Sequence, residues 1–177
     1  MRCSASAPLE VTKVSQQSNG GLQADAQRGF SCEWKPPASH GAAHKSIFYT
    51  FSKYTWEGVK AEAYKPEPGN FANIVRNAIV GNKGESCNFD LRYFELSEGG
   101  FSSLEKHRHE HVVICVRGQG QVRMGKQIRD LNFLDIVYIS SETPHQFINK
   151  GREPFGFFCI VDRERDRPQE LDPDSII

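Results

Sequence analysis

Hydrophobic and polar residues alternate along much of the chain between positions 88 and 162. In the segment NFDLRYFELS, the side chains of Phe89, Leu91 and Tyr93 would leave one face of a strand, and the intervening residues the other. Short runs of strand-like sequence follow at regular intervals, separated by Gly, Pro, Asn and Asp turns: HVVICVRG, GQVRMG, QIRDLNF, DIVYIS, HQFINKG and FGFFCIVD. No long helical period interrupts them, which is typical of an all-β antiparallel sandwich or barrel.

The pattern changes outside this region. Residues 1–45 are rich in Ser, Ala, Gln and Gly, and we expect a flexible leader because so few large apolar side chains cannot offset the entropy of ordering. Residues 46–87 are expected to add strands that pack on the barrel. Within them, SIFYTFSKYTWEGVKAEAY fits either a helix or edge strands, whereas NIVRNAIVG predicts a strand. Residues 163–177 form a charged, proline-broken tail.

The composition of the chain argues against several classes of protein. The 177 residues carry 22 basic and 22 acidic side chains. The chain therefore lacks the basic excess that is typical of nucleic-acid-binding proteins. No apolar run approaches the roughly 20 residues of a membrane span, and the first residues lack the apolar core of a secretory signal. The five cysteines form no CxxC pair, so reduced thiols are expected rather than a disulfide framework. These features predict a cytoplasmic protein.

Three of the six histidines lie in LEKHRHEH, from Leu104 to His111. Glu105, His107, His109 and His111 are each two residues apart, so a continuous strand would project all four to one side. An antiparallel fold can bring His145 beside them. Imidazole and carboxylate groups that converge in this way are ligands for a divalent transition metal. A lone histidine, in contrast, is more often a solvated loop residue. His40 and His44 fall in the leader, and we expect them to be solvated.

The spacing in this region resembles the first motif of the cupin superfamily, the small jelly-roll β-barrels. That motif is Gly, five residues, His-x-His, three or four residues, Glu, six residues and Gly. This sequence follows it without a gap at Gly99, Glu105, His107, His111 and Gly118. Glu105 therefore stands at the first His position, and His111 at the Glu position.

The second cupin motif, Gly-x5-Pro-x-Gly-x2-His-x3-Asn, is matched by His145 and Asn149 in both type and spacing. Leu134, Ser140 and Glu142 stand where the family has Gly, Pro and Gly. The resemblance covers roughly Asn88 to Asp162, and it is to small single-domain cupins of the oxalate-decarboxylase-like type.

The resemblance implies a jelly-roll barrel with a metal held by Glu105, His107, His111 and His145. A turn that is two residues shorter would make His109 the fourth ligand in place of Glu105, and both alternatives stay open. Fe(II) or Mn(II) suits such a ligand set best, with Zn or Ni as alternatives.

Cupins with such a site act as dioxygenases, decarboxylases or isomerases on small polar molecules that carry a carboxylate or carbonyl group. The other reading is a non-catalytic cupin that binds or senses a small molecule. Apolar residues on both faces of the predicted strands imply a cover on each side of the sheet. The resemblance to cupins implies that a second subunit supplies one of these covers, so a homodimer is expected. Tyr93, Tyr138, Arg76 and Arg92 are candidates for substrate contacts, but the sequence selects no catalytic residue.

Overall fold

Antiparallel strands account for nearly all the regular structure of residues 46–175, the part of the chain that this computed structural model describes. The expectations for the leader, including His40 and His44, lie outside this part. The described residues form thirteen strands and, at Pro173–Ser175, a single 3-10 helix. The strands are β1 Phe51–Ser52, β2 Thr55–Trp56, β3 Ala61–Ala63, β4 Ala72–Val80, β5 Phe89–Phe101, β6 Glu105–Lys106, β7 His111–Arg117, β8 Gly120–Met124, β9 Gln127–Leu131, β10 Ile136–Ile139, β11 His145–Ile148, β12 Phe155–Asp162 and β13 Gln169–Glu170.

Eleven of these strands belong to one antiparallel sheet that curves into a nearly closed barrel. The long strand β5 is central, since it pairs with β4, β11 and β12. The order along the main path is β10-β7-β12-β5-β11-β6-β13, and β8 joins through β11. The prediction of an all-β jelly-roll barrel is confirmed. No described helix is long and apolar enough to cross a membrane.

The barrel interior is built from alternate residues of each strand, as the sequence pattern predicts. On β5, Phe94 and Leu96 face inward, and on β12 the neighbouring Phe157 packs against Phe94 with ring centroids 5.6 Å apart. The β7 residues Val113 and Cys115 are fully buried in the same cluster. A continuous aromatic and aliphatic core therefore fills one end of the barrel and supports the residues at the other.

The first described residues form a hairpin, not a helix, so the helical alternative for this segment is wrong. Strands β1 and β2 pair directly, and the two turn residues Lys53 and Tyr54 both have positive φ. Trp56 packs on Tyr93 and on Phe158, with ring centroids 5.0 and 5.6 Å apart. The chain itself therefore covers the outer face of β5 and β12 at this point.

The charged C-terminal residues lie along the opposite edge. Strand β13 pairs with β6, with Glu170 opposite Glu105, and the Leu171 amide donates to the Leu104 carbonyl at 2.9 Å. The Asp166 carboxylate accepts hydrogen bonds from the backbone amides of Arg108 and His109, at 2.9 and 3.1 Å. This segment fixes the bend between β6 and β7, which carries His107 and His109.

Candidate metal centre

Three predicted ligands meet at one end of the barrel. His111 begins β7, His145 begins β11, and His107 lies in the bend before β7. One nitrogen from each ring lies within 4.8 Å of the other two. All three residues are buried, with exposed fractions of 3 to 6 %. Polar groups are costly to bury unless they have partners, so this cluster calls for a bound cation or a shared proton.

Hydrogen bonds to backbone carbonyls fix which ring nitrogen of His107 and of His145 has a free lone pair. The Nδ1 atoms of His107 and His145 lie 2.8 Å from the carbonyl oxygens of His109 and Thr143. A carbonyl only accepts, so each Nδ1 carries the proton and each Nε2 keeps a free lone pair. The Nε2 of His111 is 2.9 Å from that of His107. Fixing the outer nitrogen by a carbonyl is the arrangement that metal-bound histidines use, so these residues fit a divalent cation.

Burial favours the uncharged form of His111 and of His145. Desolvation lowers the pKa of His111 well below its usual range, and the neighbouring His145 and His107 lower it further. Desolvation also lowers the pKa of His145, although the hydrogen bond to Thr143 opposes this change. Neutral imidazole is the form that binds metal, so the site requires no deprotonation of these two rings at neutral pH.

Glu105 does not join the group of three histidines. Its backbone is directly opposite His145 in the sheet, so both side chains leave the same face. One carboxylate oxygen, Oε2, lies 2.7 Å from the Lys65 ammonium nitrogen. Glu105 therefore lies beside the cluster with its charge paired to a lysine.

His109, the alternative fourth ligand, is also outside the group of three. Its ring stacks on that of His107, with centroids 3.5 Å apart and planes 6° from parallel. Its Nδ1 lies 2.8 Å from Asp166 Oδ1. Burial lowers the pKa of His109, and the bond to Asp166 opposes this. His109 therefore lies beside the cluster with its outer nitrogen paired to Asp166.

We expect Glu105→Ala to weaken metal binding more than His109→Ala. Glu105 projects on the same sheet face as His145, whereas His109 is outside the group whose nitrogens meet and has its Nδ1 paired to Asp166. Competition with a fluorescent chelator would measure both dissociation constants, and Glu105→Gln would separate the charge from the shape. A larger loss in His109→Ala would make His109 the fourth ligand instead.

A cavity of about 490 Å³ opens beside the histidines. Aromatic residues of the core, among them Phe94, Phe147 and Phe157, form part of its wall. Both arginine candidates, Arg76 and Arg92, line it. The space thus combines an apolar wall with cationic groups, as sites for small polar ligands do.

The two tyrosine candidates are not among the residues that line this cavity. The Tyr93 hydroxyl donates to Glu95 at 2.6 Å on the outer face of β5. Tyr138 is 56 % exposed and contacts Glu110. Both are strand aromatics with polar contacts of their own, away from the histidine cluster.

Sequence reasoning missed Cys159 as a cavity residue. Its Sγ lies 3.2 Å from His111 Nδ1, and Arg92 Nη2 approaches the same sulfur at 3.4 Å. Burial raises the pKa of this thiol. The signal was the alternation in FGFFCIVD, which puts Cys159 on the same face as Phe157 and Val161.

Similarity to known proteins agrees with this fold. The family described as Cupin domain matches residues 92–161. A 1-methylthio-D-xylulose 5-phosphate methylsulfurylase of Rhodospirillum rubrum is 38% identical over 119 residues, which cover 67% of this chain and 75% of that protein.

Two solved structures show the same barrel. A cupin 2 conserved barrel domain protein from Rhodopseudomonas palustris is 35% identical with a TM-score of 0.66, over 72% of this chain and 88% of that one. A cupin-2 domain protein from Rhodospirillum rubrum is 35% identical with a TM-score of 0.63, over 72% and 85% of the two chains. With the barrel and the spaced histidines, these matches show that the chain belongs to the cupin superfamily.

Proposed function

We propose that this cupin is a metal-dependent enzyme that acts on a small phosphorylated ketose carrying a methylthio group. The observation that carries the proposal is a cluster of three buried imidazole nitrogens, two of them on His111 and His145, which line a cavity together with the Cys159 thiol and several arginines. The relative named as a methylsulfurylase supplies the substrate class. This reaction differs from the dioxygenase, decarboxylase and isomerase activities that the motif resemblance implies.

His107, His111 and His145 would hold the cation, with Glu105 as a fourth ligand, and Fe(II) or Mn(II) is expected before Zn or Ni. Such an ion, when bound, supplies Lewis-acid polarisation of a carbonyl or enediol oxygen. The aromatic wall excludes water from the reacting end of the substrate. The arginines offset the charge of an anionic ligand, and the Cys159 thiol lies next to His111.

The proposal is tested by turnover of 1-methylthio-D-xylulose 5-phosphate. Metal-free protein is loaded with Fe(II), Mn(II), Zn or Ni in turn and incubated with this compound and a small thiol, and loss of the methylthio group is followed by mass spectrometry. We expect turnover with at least one metal and none after chelation. Tight binding without turnover under every condition would overturn the proposal and favour a non-catalytic sensor.

We expect Cys159→Ser to lower this turnover at least about tenfold while metal occupancy stays unchanged. Cys159 is the described cysteine that lines the cavity. Its attack on the methylthio sulfur would form a methyl disulfide and break the bond from that sulfur to C1, which takes the thiol proton. The added small thiol would then reduce this disulfide, and a serine hydroxyl is a far poorer nucleophile toward divalent sulfur. Steady-state kinetics and metal analysis on the same sample measure the two effects.

Cys115→Ser is the matched control, because Cys115 is equally buried but is not among the cavity-lining residues. Equal turnover by wild type and Cys159→Ser would remove this thiol from the reaction. A matching loss in the Cys115 variant would attribute the effect to core packing.

A further inference from the structure

Two arginines that line the cavity have a buried hydrogen-bond donor without a partner. The Nε atoms of Arg76 and Arg92 are both buried, and neither has a hydrogen-bond acceptor among the described residues. Unsatisfied buried donors are rare in native proteins, and they cost more on a charged group. Two of them on the wall of one cavity indicate a missing acceptor.

The sheet register places these side chains together. Arg76 is opposite Phe94, and Arg92 is opposite Ala78, on the adjacent strands β4 and β5. The two arginines are therefore diagonal neighbours on one face, within reach of a common ligand. On its other side Arg92 is opposite Cys159, whose sulfur touches His111. Cys159 thus lies between Arg92 and the histidine cluster and contacts both.

The charge of Arg92 is not neutralised within the described chain. No carboxylate oxygen of these residues lies within 4.0 Å of its guanidinium, whose contacts are Cys159 Sγ at 3.4 Å and the Phe94 ring at 5.2 Å. The nearest acid on its strand, Asp90, is paired with Arg165. Arg76 uses only Nη2 to bind Glu62, at 2.9 Å. Arg92 therefore brings to the cavity wall a positive charge that no carboxylate of the described residues pairs with.

We propose that Arg92, assisted by Arg76, binds the phosphate group of the substrate. A phosphate group is a better ligand for two arginines than a carboxylate group is, because a terminal phosphate offers three acceptor oxygens and about two negative charges. The Phe94 ring beneath Arg92 restricts the guanidinium plane and so reduces the entropy lost on binding. The identification of the anion as phosphate rests on the proposed function, whereas the anion site rests on the two arginines.

The test titrates inorganic phosphate into the metal-free protein. The measured affinity then depends neither on turnover nor on bound metal. Calorimetric titration at low ionic strength should show one phosphate bound per chain. Arg92→Met, which keeps the apolar stem, should weaken this binding about tenfold or more, since each charge-assisted hydrogen bond contributes at least that factor. Arg76→Met should weaken it less, because Glu62 already shares that charge.

Arg129→Met is the matched control, since Arg129 is an exposed arginine on β9 and should leave the affinity unchanged. Arg92→Lys keeps the charge but loses the planar fork, so it should bind phosphate with intermediate affinity, and it serves as the test if Arg92→Met does not fold. Malonate, titrated in parallel, distinguishes a carboxylate site from a phosphate site.

Several outcomes would overturn the assignment: no phosphate binding by wild type, wild-type affinity in both Arg92 variants, an equal loss in Arg129→Met, or Arg92-dependent binding of malonate alone. Failure of the proposed function is a separate result. It would appear as absent turnover in protein that still binds phosphate through Arg92.

Discussion

His145→Ala protein is expected to lose stoichiometric divalent metal, and His107→Ala protein should behave in the same way. Each residue supplies one of the three imidazole nitrogens that meet within 4.8 Å in the described part of the chain. Loss of one leaves two rings and a carboxylate that is already paired to Lys65. The affinity for metal should therefore fall by more than about 100-fold, which exceeds the usual effect of mutating a residue that hydrogen-bonds to a metal ligand. Any metal-dependent turnover should disappear with it.

Elemental analysis after dialysis against limiting metal would measure this loss. The matched control is His44→Ala, a histidine outside the described residues that the sequence analysis expects to be solvated; it should keep wild-type occupancy. The circular dichroism spectrum of each variant would show whether the barrel has formed. Full occupancy in folded His145→Ala or His107→Ala would refute the assigned centre.

The barrel could be predicted because strand periodicity is a local property of the sequence. The alternation in β5 and β12 identifies inward residues such as Phe94 and Phe157 without knowledge of their partners. The hairpin at residues 51–56 could not be predicted in this way. Its turn uses positive φ at Lys53 and Tyr54, and neither is the Gly or Asn that usually marks such a turn.

The site was partly predictable for a similar reason. Motif spacing identifies the three histidines that the structure brings together, since the motif fixes their positions at the starts of β7 and β11 and in the bend before β7. The partners of the two other candidates are remote in sequence: Lys65 lies 40 residues before Glu105, and Asp166 lies 57 residues after His109. The contact between Arg92 and Cys159 depends on the register of β5 against β12, which no local pattern specifies.

Asn149→Ala is expected to destabilise the fold by about 3 kcal/mol, because several buried backbone groups lose their partners at once. The side chain is 1 % exposed. The two N–H groups of its Nδ2 donate to the carbonyls of Leu96, Ser97 and Glu153 at 2.9 to 3.1 Å, so one of them is shared between two acceptors. Its Oδ1 accepts from the Gly151 amide at 2.9 Å. One amide thereby joins the middle of β5 to the β11–β12 turn, and so helps to position β11, which carries His145.

Urea unfolding of metal-free protein would measure this change, since bound metal would add its own binding free energy to the apparent stability. Asn132→Ala is the matched control: Asn132 is exposed and its Nδ2 bonds only Asp135, at 3.1 Å, so its loss should be under about 1 kcal/mol. Asn149→Asp should be at least as harmful as Asn149→Ala, because it would direct a carboxylate oxygen at three carbonyls. Equal stability of the Asn149→Ala and Asn132→Ala proteins would show that this amide is not what joins the two strands.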